Sequence, residues 1–309
     1  VIRVFDFLAY RQAKALRQIF TIFFDYKGGV TNPLLRLIAI STIIVQLLGV
    51  VFFDYPVTPF GPKLDMSRFE LAWSDEFDGD GVDWNKWSGH YTYGEAASVR
   101  RGGYFQRDMA SVAGGNLIIR TDYVPEGLGG GGAGYYSYGM HTRDHYEQLY
   151  GYFEVRCILP KGRDLWAAFW LINDGTFNED GSAADGAEVD IFESPNWGKK
   201  VGQDSVTHNI HFDGYGAMHQ SQPQGAFYAH NPYEEYNTYG LEWNEDEYIF
   251  YVNGVESART SFGVSHNPEI LILSVEVNGE NAVPSEAVKN NTTYPADYIV
   301  DYVRAYKYK

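Results

Sequence analysis

The sequence predicts an all-β domain, a sandwich or jelly roll of short strands, preceded by a helical N-terminal region. Three observations carry this expectation. Aromatic residues make up 17 % of the 309 residues, with 25 Tyr, 19 Phe and 7 Trp. From residue 70 onward, short apolar runs follow one another with turn residues between them and no long helical period. An Asn-Gly pair at 253–254 sits between two such runs, the signal of a type I′ hairpin. Many short strands without intervening helices close into a sandwich or jelly roll.

The N-terminal elements come first. Residues 4–24, VFDFLAYRQAKALRQIFTIFF, predict an amphipathic helix with Arg11, Lys14 and Arg17 on its polar side. Such a helix suits a membrane surface. Residues 34–53, LLRLIAISTIIVQLLGVVFF, are an apolar run with one charge, Arg36. A bilayer core about 30 Å thick takes about 20 apolar residues as helix, so a single transmembrane anchor is expected. A cleaved signal and a buried core helix are the alternatives; VVFFDYP offers no small-residue cleavage site. The basic residues Arg3, Arg11, Lys14, Arg17, Lys27 and Arg36 lie at or before the start of the run. By the positive-inside rule, residues 1–33 then stay cytoplasmic and the following domain is extracellular. Residues 54–63, DYPVTPFGPK, read as a semi-rigid linker, which leaves 64–309 as the β-domain.

Strands are expected over NLIIRT (116–121), YGYFEVRCILP (150–160), LWAAFWLI (165–172), EVDIFE (188–193) and SVTHNIHF (205–212). They continue over TYGLEWN (238–244), EYIFYVNGVESA (247–258, a hairpin), EILILSVEV (269–277) and YIVDYVRAYKY (298–308). GLGGGGAG (127–134) is a loop, without the Lys-Ser/Thr ending of a phosphate loop. The net charge of −16 argues against a nucleic-acid partner. The single cysteine, Cys157, alternates with Phe153, Val155 and Leu159 and reads as a buried small hydrophobe. A monomer is expected.

GAEVDIFE (186–193) places Glu188, Asp190 and Glu193 among apolar residues. Period two puts Glu188 and Asp190 on one face and Glu193 on the other. One extra residue near Ile191–Phe192, a β-bulge, would return Glu193 to the face of Glu188. Two carboxylates facing one groove are the minimum apparatus for cleaving a glycosidic bond: one protonates the leaving oxygen, the other stays ionised. Crowding separates their pKa values. Three acids on a solvent-facing edge strand is the alternative. Trp166 and Trp170 share one face of the preceding strand, as a sugar-stacking platform or as core. His208 and His211 fall on opposite faces, so at most one lines a cleft; His211, just before the FDGYG turn, is the candidate.

Together these segments resemble glycoside hydrolase family 16, the laminarinase and lichenase group. EVDIFE matches the family's Glu-aliphatic-Asp-x-(x)-Glu pattern in its bulged form. LWAAFWLI is similar to LWPAFWML, YGYFEVRCILPKG to YGRFEARIKLPKG, YNTYGLEWNEDEYIFYVNG to FHTYGLEWTPDEIRFYVDG, and DYVRAYKY to DYVRVYQ. The resemblance runs from about residue 70 to the end. It implies a concanavalin-A-like jelly-roll sandwich of two antiparallel sheets, with internal cleavage of a β-linked glycan, retention of configuration and no catalytic cofactor. Glu188 would be the nucleophile, Glu193 the general acid/base and Asp190 their assistant. It also implies a structural calcium held by Glu76 and Asp301. The chain departs from the glucanase pattern in SPNWGKK, HNIHFDGYGAMHQS and LILSVEVNGEN, so Trp197, His211 and Glu276 join Trp166 and Trp170 as candidate substrate contacts. β-1,3-Glucan or mixed-linkage glucan is the first substrate expectation. A β-galactan or host O-glycan is the second, and a lectin-like sandwich that binds without cleaving is the third.

Overall fold

The computed structural model describes residues 55–89, 97–291 and 293–309. The expected amphipathic segment and anchor, 1–33 and 34–53, lie outside them. Among the described residues no helix is long and apolar enough to cross a membrane. Thr58–Lys309 form one compact unit, so the domain starts before the expected boundary at residue 64. Backbone pairing explains the difference. Gly61 N donates to Glu256 O at 3.0 Å, Glu256 N to Pro62 O at 2.9 Å and Leu64 N to Gly254 O at 2.9 Å. The second half of the linker is therefore laid along the hairpin Tyr248–Thr260.

Among the described residues the strands gather into an eleven-stranded sheet, a seven-stranded sheet and a small hairpin. The seven-stranded sheet runs Gln220–Tyr228, Ser205–Phe212, Glu188–Ser194, Leu165–Ile172, Ile270–Val277, Gly139–His141, Ser88–Gly89. The larger sheet includes Val255–Thr260, Tyr248–Val252, Asn237–Trp243, Gly151–Ile158, Ala296–Tyr308 and Asn116–Val124 in that order. Pairing is antiparallel, with one exception to the expectation: Gly103–Phe105 runs parallel to Gly134–Ser137. The Asn253-Gly254 turn has φ of 52° and 68°, as a type I′ hairpin requires.

Alternation builds the core. Phe169, Leu171, Val189, Phe192, Ile210, Leu273 and Val275 are fully buried, each stabilising the fold by about 1.5–3 kcal/mol. Phe192 meets Tyr239 of the other sheet with ring centroids 4.4 Å apart. Cys157 is buried and its thiol is pushed up by burial. The strand Gln220–Tyr228 escaped the sequence reading because QSQPQGAFY is polar and carries Pro223 and Gly225. It lies at the sheet edge, where Pro is tolerated, and its register shifts between His208 and Asn209 of the neighbouring strand.

Candidate active site

The acid strand Glu188–Ser194 lies between Leu165–Ile172 and Ser205–Phe212. Its register against Leu165–Ile172 jumps from Phe169↔Phe192 to Trp170↔Asp190. Ile191 is therefore the extra residue, in the stretch where a bulge was expected. Phe192 and Val189 stay in the core, while Glu188, Asp190 and Glu193 all face one cavity of 420 Å³. That volume is in the range of small-molecule clefts. The bulge leaves the Ile191 carbonyl outside the ladder, and His208 Nδ1–H donates to it at 2.6 Å. His208 Nε2 then accepts from the Ser257 hydroxyl at 2.9 Å. The ring is stacked between Phe227 and Phe250, at 5.1 and 4.6 Å. His208 is thus a core residue that fixes the bulge, and His211 is the histidine beside the acids.

Each acid has its own surroundings. Glu193 accepts from the Trp166 indole N–H and the Asn209 amide, both at 2.7 Å. Glu188 accepts from the Tyr215 hydroxyl. Asp190 is buried, and its Oδ2 has no hydrogen-bond partner; His211 Nε2 stands 3.4 Å away. Burial, then the charge of Asp190, pushes Glu188 up to about 8, partly offset by Tyr215. Burial, then Glu193 and Glu276, pushes Asp190 well above the carboxylate range. Burial also raises Glu193, with Asn209 and Trp166 pulling it back. These are shifts of a coupled set: protons are shared among acids that cannot all ionise together. Asp190 Oδ2, buried without a donor, favours the neutral acid. Once it is neutral, its push on Glu188 disappears, and burial is left opposed by the Tyr215 hydroxyl and His211.

The Trp candidates divide. Trp166 lines the cavity, with the Arg101 guanidinium 4.9 Å from its ring centre. Trp170 lines it as floor, buried with Ala168, Ile172, Ile270 and Ile272, and its indole N–H donates to Ser274 Oγ at 3.2 Å. Trp197 is not brought to the cavity. Its ring meets Tyr233 edge-on at 4.9 Å, in the loop after the acid strand. Glu276 does line the cavity, opposite Trp166 in register, but its carboxylate is engaged by Arg100 and Arg101. It is first a counter-ion for that arginine pair.

Both acids of the expected calcium pair are held by arginines. Glu76 takes a bidentate grip from Arg304, at 2.9 and 2.7 Å, and Asp301 takes Arg156 at 2.5 Å. A cation would have to displace both arginines, so these residues as arranged do not fit one. Among the described residues, one cluster of three or more acid and imidazole groups has its atoms within 4.8 Å of one another: Glu188, Asp190 and His211.

Sequence reading missed Arg100, Arg101, Asn209, Phe177 and Tyr215. Asn209 was within reach, two positions from His211 and so on the same strand face. The dibasic VRRGG turn carried no signal of what it would approach.

The family model described as the β-porphyranase A–D GH16 domain matches residues 70–308. A β-glucanase of Rhodothermus marinus is 29 % identical over 261 residues, covering 78 % of this chain and 86 % of that protein. A keratan-sulfate endo-1,4-β-galactosidase of Sphingobacterium multivorum is 28 % identical over 250 residues, covering 77 % of this chain and 55 % of its own. The catalytic domain of an endo-1,3-β-glucanase (laminarinase) from Thermotoga petrophila superposes with a TM-score of 0.62 at 27 % identity, over 78 % of this chain and 98 % of that one.

Proposed function

The chain belongs to glycoside hydrolase family 16 and is an endo-acting glycoside hydrolase; from that premise we propose that it cleaves with retention, on a β-linked galactan of the porphyran kind. The observation that carries the mechanism is the bulge at Ile191, which turns Glu193 to the face of Glu188 with a buried Asp190 between them. Glu193, oriented by Trp166 and Asn209, protonates the leaving oxygen. Glu188, ionised when Asp190 holds the proton, attacks the anomeric carbon. Glu193 then takes a proton from water as the water oxygen attacks the anomeric carbon and breaks the bond to Glu188, which releases the sugar.

Three observations favour a galactan. The matching family model is named for porphyran, and a galactosidase stands among the relatives. The chain also departs from the glucanase pattern where Ser274 and Glu276 stand, and Glu276 recruits Arg100 and Arg101 to the cavity. β-1,3-Glucan is the second reading, favoured by the Thermotoga petrophila endo-1,3-β-glucanase. Reducing-end release from porphyran, keratan sulfate, laminarin and mixed-linkage glucan decides between them. Release from porphyran without release from laminarin is expected; the reverse replaces the galactan by a glucan.

The same reading holds the domain outside a membrane through residues 34–53. It is supported by the length and flanking charge of that run. The full chain should sediment with membranes, and residues 58–309 alone should be soluble and active. An insoluble fragment would contradict it.

A further inference from the structure

Two aromatic rings at the Glu188 end of the cavity belong neither to the core nor to the catalytic set. Phe177 is 49 % exposed and Tyr215 54 % exposed, yet both line the cavity. Their ring centroids are 6.0 Å apart. They come from two separate loops, one after Leu165–Ile172 and one after Ser205–Phe212. Trp166 belongs to the other end, beside Glu193.

The two loops are fixed to each other. Asp213, fully buried, accepts the backbone N–H groups of Asp180 and Gly181 at 3.1 and 2.9 Å. It also accepts the Gln220 amide at 2.6 Å. Gly214 N donates to Thr176 O at 2.7 Å. His219 and His211 flank the Tyr215 ring at 5.4 and 6.4 Å, and the two imidazoles share a hydrogen bond of 3.0 Å. A large apolar ring held rigidly at a loop surface and left half open gains little for the fold. It offers a pre-organised flat face to a ligand, with little entropy left to lose on binding. The Tyr215 hydroxyl adds a polar handle, since it donates to Glu188.

We propose that Phe177 and Tyr215 form a sugar subsite on the Glu188 side of the cleft, taking one pyranose unit of the glycan against their ring faces. The Tyr215 hydroxyl stays on Glu188 and favours its ionised form, so that the subsite and the nucleophile are coupled through one side chain. This extends the glycan-cleaving reading above and rests on it.

Calorimetry on the full-length protein carrying Glu193→Gln, with oligosaccharides prepared from porphyran and from laminarin, tests the binding half. Phe177→Ala and Tyr215→Ala should each weaken the better ligand by about tenfold. Tyr215→Phe, which keeps the ring, should bind like its parent. In the otherwise unaltered enzyme, Tyr215→Phe should move the acid limb of kcat/KM to higher pH, because charged Glu188 loses a hydrogen bond. Phe177→Ala should raise KM and leave that limb in place. Unchanged affinity in both alanine variants, or an unmoved limb in Tyr215→Phe, would overturn the subsite and leave the hydrolase reading standing. Binding of neither glycan by the parent would overturn the substrate assignment and this subsite together.

Discussion

Two groups of buried acids sit on the two sheets and have opposite fates. On the larger sheet, burial alone would raise the Glu242 carboxyl. The Arg68 fork at 2.7 and 2.6 Å, with the hydroxyls of Tyr308 and Tyr251, outweighs it and holds Glu242 below the usual range. On the smaller sheet, Glu188, Asp190 and Glu193 meet a phenol, an imidazole, an indole and an amide, none of them permanently charged. All three are pushed up. The same residue type becomes a structural anchor where a guanidinium reaches it, and a proton carrier where only neutral groups do. Glu276 marks the border: it faces the catalytic cavity but holds Arg100 and Arg101 from a strand two places away from the acids.

Breaking the neutral group should give the largest effect. Glu188→Gln and Glu193→Gln should each lower kcat by at least about 10²–10⁴-fold, the range assigned to acid–base groups, with an unchanged melting temperature. Full activity in either variant would remove it from the mechanism. Asp190→Asn should follow at about tenfold to a hundredfold, because it removes the group that stores the shared proton; a flattened pH profile distinguishes this from simple misfolding.

Breaking the charged group should do the reverse. Arg68→Met leaves Glu242 buried without its cation. The loss should be about 1–3 kcal/mol, discounted because Arg68 is itself partly exposed. It is read as a lower denaturant midpoint with kcat unchanged. A loss of kcat at constant stability would show that the two acid groups are not separable.

A further effect lies in pH. Glu269 is buried behind the acid strand, where it accepts the Ala187 N–H, and burial pushes it up to about 8 from 4.5. The folded protein holds a proton there that the unfolded chain releases. This stability is complete below about pH 4.5 and is lost as pH rises through about 8. Glu269→Gln should flatten the decline in melting temperature between pH 5 and pH 9. An unchanged slope would mean that Glu269 is ionised in the fold.

The sequence made the catalytic strand legible because its information is local. Three acids and a counting mismatch of one residue are enough to infer the bulge. LWAAFWLI and SVTHNIHF were bounded correctly because alternation between two filled faces is visible in the residues themselves. The rest of the site was not local. Tyr215 and Phe177 come together through a buried Asp213, and Arg101 reaches Trp166 across the sheet from the turn between two short strands. Trp197 was a candidate substrate contact because nothing in SPNWGKK announces Tyr233, which lies far along the chain. Glu76 and Asp301 were expected as a cation pair only through the family resemblance, and nothing local in the sequence pairs Arg304 with Glu76 or Arg156 with Asp301.

The most direct test of the central claim is the configuration of the first product. Proton NMR during hydrolysis of the best glycan should show the β-anomer of the new reducing end appearing first, with the α-anomer growing in later by mutarotation. That is the outcome required of Glu188 as nucleophile and Glu193 as acid/base on one face of a bulged strand. Appearance of the α-anomer first would mean a single displacement by water, and would contradict the account.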